Sequence, residues 1–256
     1  RALHIACSTL CFASETLETA LRRIAEMEFS QVEIALVENW AHLNPSEVAK
    51  DPAAALKRIR MGPSLMAVSL YVGISADDPA EYRRQFEAIC KLAKMLTVTC
   101  ITIPTAPAGN EFASEVGRLR ELCTLSTREG ITLCVENHVG RLAQDPAMAV
   151  AICRAVPGLG LTLDPSHYVN GPHQNKEYGD VFPFVQHVHL KDSGTGPNQA
   201  QVKIGQGLIE YSRIIAQLGR YHYERSLSIE IIDEPGITLD VETEVRKLKL
   251  LLESLE

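Results

Sequence analysis

Short β-rich runs alternate with helical runs along the whole chain, and this alternation restricts the possible folds more than any other sequence feature. There are eight β-rich runs in 256 residues, a pitch of about 32 residues. Most are continuous apolar stretches, as expected of parallel strands that are covered by helices. The predicted strands span residues 4–8, 31–35, 65–71, 99–103, 132–136, 159–163, 185–190 and 227–231.

Helix signals fill the intervals between these strands. Asp78-Pro79 and Asp145-Pro146 each place an N-cap residue and a first-turn proline before an apolar-periodic stretch. The helix predicted over residues 111–128 ends before Gly130, a typical C-terminal stop signal. We expect the polar segment 170–180 to be irregular, with room for only a short helix.

Strands that alternate with helices indicate βαβ units and a parallel sheet, which can be an open doubly wound sheet or a closed barrel. The open arrangement often carries a GxGxxG fingerprint after an early strand, and this sequence contains none. Eight strands at an even pitch favour the closed barrel. The sequence therefore predicts an α/β protein, one (β/α)₈ TIM barrel, as a single domain over residues 1–256.

Charge and cysteine content narrow the class of protein further. The net charge is −7 and the pI about 5.7, which argues against a nucleic-acid partner. No apolar run reaches the roughly 20 residues that cross a bilayer, so no membrane partner is expected. The seven cysteines are scattered and contain no CxxC pair. We interpret them as reduced core residues of a cytoplasmic protein.

Ionisable residues occur at the ends of the last four predicted strands, which is the end where α/β barrels carry their active sites. Strand 5 ends at Glu136 and strand 6 ends at Asp164. Strand 7 carries His187 and His189, and strand 8 carries Glu230. Four consecutive strands thus bring a carboxylate or an imidazole to the same rim.

Each of these residues also has an ordinary structural interpretation. Asp164 fits a helix N-cap. A single strand histidine is usually a core residue, and we prefer this role for His187, one layer below His189. Buried glutamates such as Glu136 and Glu230 are rare unless paired or bound to metal. The set as a whole predicts one divalent ion, with donors that suit Mn²⁺, Mg²⁺ or Co²⁺ and are also compatible with Zn²⁺.

Five motifs in the C-terminal half carry a resemblance to a known family. They are VENH at strand 5, LDPSH at strand 6, HVHLKD at strand 7, IGQG in the loop that follows, and SIE at strand 8. In this order they resemble the xylose isomerase-like barrels, the sugar isomerases and epimerases related to endonuclease IV. The resemblance implies that the metal ligands are Glu136, Asp164, His189 and Glu230.

The resemblance also implies substrate contacts. His167, three residues after Asp164, matches a substrate-contacting histidine, and Lys203, just before IGQG, matches a basic residue that often holds a substrate oxygen. Lys203 is equally explained as a solvated loop lysine. Glu33, near the end of strand 2, matches an acid that binds substrate in some relatives, or else has a packing or surface role. His138 is a further candidate for substrate binding.

Neighbouring polar residues have supporting roles as alternatives. Asn137 and His138 flank Glu136, and either residue orients it or belongs to an ordinary loop. Lys191 and Asp192 end strand 7, where we expect them to form an ion pair.

These features predict a metal-dependent sugar isomerase or epimerase that moves a proton through an enediolate, with Glu136 and Glu230 as the acid–base pair. Loss of a β-hydroxyl from the same intermediate would make the enzyme a dehydratase. An abasic-site nuclease like endonuclease IV is less favoured, because strands 3 and 4 end without histidine. A barrel that binds a ligand without catalysis is the remaining class. The expected partner is a small sugar-like molecule, and formation of a homo-oligomer stays open.

Overall fold

Eight parallel strands close into a barrel in the computed structural model, which describes residues 3–40 and 42–256. Each strand pairs with the next along the chain, and β8 pairs with β1 to complete the ring. The predicted single (β/α)₈ barrel is confirmed. The strands are β1 Ile5–Ser8, β2 Gln31–Val37, β3 Met66–Gly73, β4 Cys100–Pro104, β5 Thr132–Glu136, β6 Gly160–Leu163, β7 Val185–Leu190 and β8 Leu227–Ile229.

Helices cover the outside of the barrel. The predicted starts at Asp78 and Asp145 are confirmed, since each side chain accepts a hydrogen bond from a backbone N–H of the first turn. The sequence analysis did not identify the two short helices between β2 and β3, which are separated at Asp51. The helices are α1 Leu17–Glu26, α2 Pro45–Lys50, α3 Pro52–Arg60, α4 Pro79–Met95, α5 Phe112–Arg128, α6 Pro146–Ala155, α7 Pro165–Val169, α8 Tyr211–Arg220 and α9 Val241–Glu253.

Strand β8 ends at Ile229 and not at Ile231 as predicted. Beyond that point its backbone pairs with the side chain of Gln201 in place of a neighbouring strand. Beyond Ile229, the amide of Gln201 donates to Ile232 O at 3.0 Å and accepts from Ile232 N at 2.7 Å. Glu230 N still donates to Leu190 O at 2.9 Å. The end of β8 is therefore fixed from two sides, which holds the side chain of Glu230 at the rim.

Apolar side chains fill the space between the barrel and the helices, whereas the barrel interior is largely polar. The buried interior residues include Glu33, Ser69, Thr102, Thr162 and His187. All seven cysteines are buried and free of disulfides, as predicted. No helix in the described parts of the chain has the length and apolarity to cross a membrane.

Candidate metal centre

Glu136, Asp164, His189 and Glu230 converge at the C-terminal end of the barrel. Each offers one ligand atom, and these atoms all lie within 4.8 Å of one another. None of the four residues is more than 2% exposed. We call this group the metal-site cluster. It is the set predicted from the sequence, brought together because the last four strands are neighbours in the barrel.

Three carboxylate oxygens of this cluster are buried without a hydrogen-bond partner in the described structure: Glu136 Oε2, Asp164 Oδ2 and Glu230 Oε2. A buried acceptor in this state costs about 1–3 kcal/mol, and more when it is charged. Three such oxygens beside one imidazole form a donor set that a divalent cation satisfies. The residues present therefore fit a bound metal ion.

Asp164 caps a helix and also belongs to the cluster, so its position fits both interpretations that the sequence left open. Its Oδ1 caps α7 by accepting hydrogen bonds from Ser166 N at 2.9 Å and Ser166 Oγ at 2.5 Å. Its Oδ2 faces the cluster. Asn137 holds the backbone of Asp164 on both sides, donating to its carbonyl at 2.8 Å and accepting from its N–H at 2.8 Å. Asn137 is thus a supporting residue of the site.

His189 turns its two ring nitrogens toward different layers of the barrel. Nδ1 lies 3.1 Å from Glu136 Oε1 and 3.2 Å from Glu230 Oε2. Nε2 lies 2.7 Å from Glu33 Oε1, one layer below. Nδ1 is therefore the ring nitrogen that would face a metal ion bound among these carboxylates, and Glu33 contacts the opposite edge of the ring.

Glu33 is surrounded by polar groups on all sides. Its Oε2 accepts from Ser69 Oγ at 2.6 Å and lies 2.8 Å from His187 Nε2. Its Oε1 accepts from Ser228 Oγ at 3.2 Å. We call Glu33, Ser69, His187 and Ser228 the Glu33 network. This placement does not support a substrate contact, because Glu33 is 0% exposed and lies beneath His189.

Charges inside the barrel shift the pKa values of its members in opposite directions. Burial alone would lower the pKa of His189, but the Glu230 and Glu33 carboxylates outweigh it and raise that pKa well above its usual value. Burial opposes ionisation of Glu136, yet the hydrogen bond from His189 lowers the pKa of Glu136 to about 2. Burial, together with the charges of Glu136 and Glu33, raises the pKa of Glu230. The cluster is thus a strongly coupled group of carboxylates around one imidazole.

His167 lies at the edge of the cluster, with Nε2 3.6 Å from Asp164 Oδ2 and 3.8 Å from Glu136 Oε1. Val139 N donates to its Nδ1 at 3.3 Å, so the proton of the neutral ring is on Nε2. Burial lowers the pKa of His167 to about 4, which keeps the ring neutral. The ring of His138 packs on it with centroids 4.1 Å apart.

The remaining sequence candidates lie around the rim. Lys203 is exposed in the loop after β7, and its role as a substrate contact stays a prediction. The expected Lys191–Asp192 ion pair is not formed within the described residues. Asp192 instead accepts from Gly205 N at 2.8 Å and from Gly207 N at 3.1 Å, which anchors the IGQG loop.

Two rim residues were not identified from the sequence. The ring of Tyr71 lies near His189, with centroids 5.9 Å apart. Arg141 follows β5 by five residues and is half-buried. The signal available for Arg141 was its position in the loop after the VENH motif, and strand-end loops carry the functional residues of this architecture.

Comparison with known proteins gives the family and the fold. The model of the xylose isomerase-like TIM barrel family matches residues 21–254. No curated protein sequence matches the chain. Among solved structures, a magnesium complex of a xylose isomerase-like TIM barrel protein from Mycobacterium smegmatis has a TM-score of 0.77 at 19% identity, covering 100% of this chain and 98% of that one.

Two further structures show the same fold at low identity. A D-tagatose 3-epimerase-like protein has a TM-score of 0.73 at 20% identity over 99% of this chain and 98% of its own. The probable 3-DHS dehydratase AsbF of Bacillus anthracis has a TM-score of 0.71 at 16% identity over 96% and 99%. With a family model that matches nearly the whole chain, the protein belongs to the xylose isomerase-like TIM barrel family.

Proposed function

We propose that this protein is a divalent-metal-dependent isomerase or epimerase of a sugar or a sugar-like keto compound. The observation that carries the proposal is the convergence of three buried carboxylate oxygens without hydrogen-bond partners beside the His189 ring. A divalent ion bound there would polarise a carbonyl oxygen and an adjacent hydroxyl of the substrate. The C–H bond next to that carbonyl then becomes acidic enough for a carboxylate to remove its proton.

Glu136 and Glu230 are the proposed proton carriers. They come from β5 and β8 and flank Asp164 and His189 in the order of the strands. One glutamate removes the proton from one side of the substrate, and the other returns a proton. Return to the neighbouring carbon gives aldose–ketose isomerisation, whereas return to the opposite face of the same carbon gives epimerisation.

His167 is proposed to donate a hydrogen bond to a substrate oxygen. Its Nε2–H faces the gap between Asp164 and Glu136, and the bond that its Nδ1 accepts from Val139 N fixes this tautomer. A neutral donor in this position holds the substrate without adding a charge to the cluster. We retain His138 as a weaker candidate, because its ring supports His167.

A dehydratase is the second candidate function. It would begin with the same proton removal and then lose a β-hydroxyl, so the residues of the cluster would serve both reactions. The likeness of the fold to the probable dehydratase AsbF supports keeping it. A nuclease remains the least favoured class, in view of the net charge of −7.

The proposed cofactor is one ion of Mn²⁺, Mg²⁺ or Co²⁺, with Zn²⁺ also compatible, because carboxylate oxygens dominate the donor set. The proposed partner is a small polyhydroxylated molecule. Seven buried free cysteines support a reducing, cytoplasmic location.

The test begins with metal analysis of the purified protein and continues in D₂O. Ketoses, inososes and hydroxy-keto acids are incubated with the metal-loaded protein, and nuclear magnetic resonance follows deuterium uptake and new products. We expect deuterium at the carbon next to the carbonyl of at least one substrate class, and none with Asp164→Ala. A rearranged sugar supports the isomerase or epimerase, and an unsaturated product supports the dehydratase. Metal-loaded protein that exchanges no proton of any class would overturn the proposal.

A further inference from the structure

A cavity of about 600 Å³ opens at the C-terminal ends of β2–β4, the same end of the barrel as the metal-site cluster. Gly73 and Pro104, which end β3 and β4, contribute to its wall. Pro104 is the register partner of Glu136, so the cavity begins on the strand next to a proposed ligand. Tyr82 of α4 and Arg118 of α5 form its outer side.

Three arginines line this cavity, and two of them are neutralised by acidic partners. Arg83 pairs with Glu121, and Arg118 pairs with Glu115 at 2.6 Å. Arg141 has no carboxylate within ion-pair distance in the described part of the chain. Its guanidinium makes one hydrogen bond, from Nη1 to Thr105 O at 3.3 Å.

Two acids of the cavity wall, Glu38 and Asp77, form no ion pair with Arg141 in the described part of the chain. Glu38 uses both carboxylate oxygens on Ser46, accepting from Oγ at 2.6 Å and from N at 3.0 Å. Asp77 is exposed at the outer edge. Arg141 is therefore a half-buried permanent cation, and most of its donors have no protein partner in the described structure, so they are available to an anion.

The backbone around Arg141 holds this residue in place before any ligand arrives. Gly140, which precedes it, has a φ of 85°, a conformation that favours glycine. Arg141 N donates to His138 O at 3.2 Å, and the residue forms an isolated antiparallel bridge with Pro107. The loop therefore presents the side chain from a fixed position.

The charge of Arg141 acts on both the cavity and the metal-site side. Burial and the nearby carboxylates raise the pKa of the Tyr71 phenol, and Arg141 opposes that rise. Burial also raises the pKa of Tyr82, which lines the cavity, and Arg141 opposes this rise as well. The backbone places the same loop beside the metal-site cluster: Arg141 N donates to His138 O, and the ring of His138 packs on His167 at the edge of the cluster. Arg141 thus lines the cavity from a loop that also borders the cluster.

We infer that the substrate carries an anionic group, a carboxylate or a phosphate, and that Arg141 binds this group in the cavity while the hydroxy-carbonyl end occupies the metal centre. This inference rests on the proposed function and narrows its substrate class from neutral sugars to sugar acids or sugar phosphates. A planar guanidinium binds either anion through two parallel hydrogen bonds, which gives orientation as well as affinity.

The test compares three probes that share a ketose end: D-fructose, D-fructose 6-phosphate and D-fructuronate. Titration calorimetry on the Mg²⁺-loaded protein measures their binding, and exchange in D₂O measures proton transfer. We expect one or both anionic probes to bind about 10- to 100-fold more tightly than D-fructose, the effect of one hydrogen-bonded charge. The stronger of the two identifies the anion as phosphate or carboxylate.

Arg141→Met is expected to remove this preference and leave the affinity for D-fructose unchanged, while Arg141→Lys retains part of it. Arg120→Met is the matched control, because that guanidinium bonds Ala155 O away from the cavity. Equal binding of neutral and anionic probes by the wild type, or no binding of either anionic probe, would overturn the inference. Tight anionic binding without proton exchange of any probe would instead count against the proposed function alone.

Discussion

Two polar layers lie one above the other inside this barrel, and they differ in how completely their groups are paired. In the Glu33 network, both carboxylate oxygens of Glu33 contact serine or histidine side chains. In the metal-site cluster, Glu136, Asp164 and Glu230 each retain a buried oxygen without a hydrogen-bond partner in the described structure. Burial is the same in both layers, so burial does not identify the functional one. The three unpaired acceptors distinguish the metal-site cluster, because buried carboxylate oxygens rarely lack a partner and three of them together suit a cation.

The largest effect should follow from removing a proton carrier. Glu136→Gln and Glu230→Gln keep side-chain size and one ligand oxygen but cannot accept the substrate proton. We expect turnover to fall by about 10²–10⁴-fold for each, the usual contribution of a positioned acid or base. Steady-state kinetics with metal content checked in the same samples measures this. Glu129→Gln, at the opposite end of the barrel, is the control.

Near-normal turnover by either glutamine variant with metal bound would show that the proton carrier lies elsewhere. The next residues to test would then be His167 and Lys203.

The second effect concerns metal binding itself. Adding the preferred divalent ion at 100 times its Kd should stabilise the folded protein by about 2.7 kcal/mol, or raise Tm by about 5–10 °C. Asp164→Ala should fold without metal and lose this shift, because it removes a cluster oxygen. Differential scanning calorimetry with and without a chelator measures both proteins. A full shift in the Asp164 variant would mean that the ion binds at another place.

The third prediction tests whether the Glu33 network supports the cluster. Glu33→Ala removes the contact with His189 Nε2, so we expect metal affinity to fall by about 10–100-fold, the usual effect of losing a group that orients a ligand. Glu33→Gln should lower the metal affinity by a smaller factor, since glutamine keeps a hydrogen-bonding oxygen. Calorimetric titration of the metal measures both, and the Glu129→Gln variant again serves as the control. Unchanged metal affinity in a folded Glu33→Ala protein would show that the Glu33 network does not support metal binding by the cluster.

The smallest effect on the metal-site cluster is expected from a hydrogen bond between two threonines of the barrel interior. Thr102 Oγ1 and Thr162 Oγ1 share a hydrogen bond of 2.7 Å. Replacing one threonine by valine should lower the free energy of unfolding by about 1–3 kcal/mol, because the other hydroxyl loses its partner. The double valine variant should lose less free energy of unfolding than the two single variants together. The metal affinity of all three variants should equal that of the wild type. Additive losses in denaturant unfolding would contradict a shared bond.

The sequence by itself determined the closed barrel and the membership of the metal-site cluster. Strand periodicity and an even pitch are local properties, and the C-terminal ends of neighbouring strands meet in any barrel, so Glu136, Asp164, His189 and Glu230 could be grouped before any coordinates. The helix cap formed by Asp164 followed from the sequence as well, since LDPS carries an N-cap signal beside a strand end.

Only the tertiary structure decided which polar residues are already paired and which are not. Glu33 and Glu136 are both strand glutamates in the sequence, and only the packing of β1–β3 against β7 and β8 reveals that one is enclosed by Ser69, His187 and Ser228. In the sequence, Arg141 likewise resembles any loop arginine. Only the structure shows that it lines a cavity and has no carboxylate partner among the described residues. Hydrogen bonds between distant segments set these differences, and their partners are 36 to 195 positions apart in the chain for Glu33.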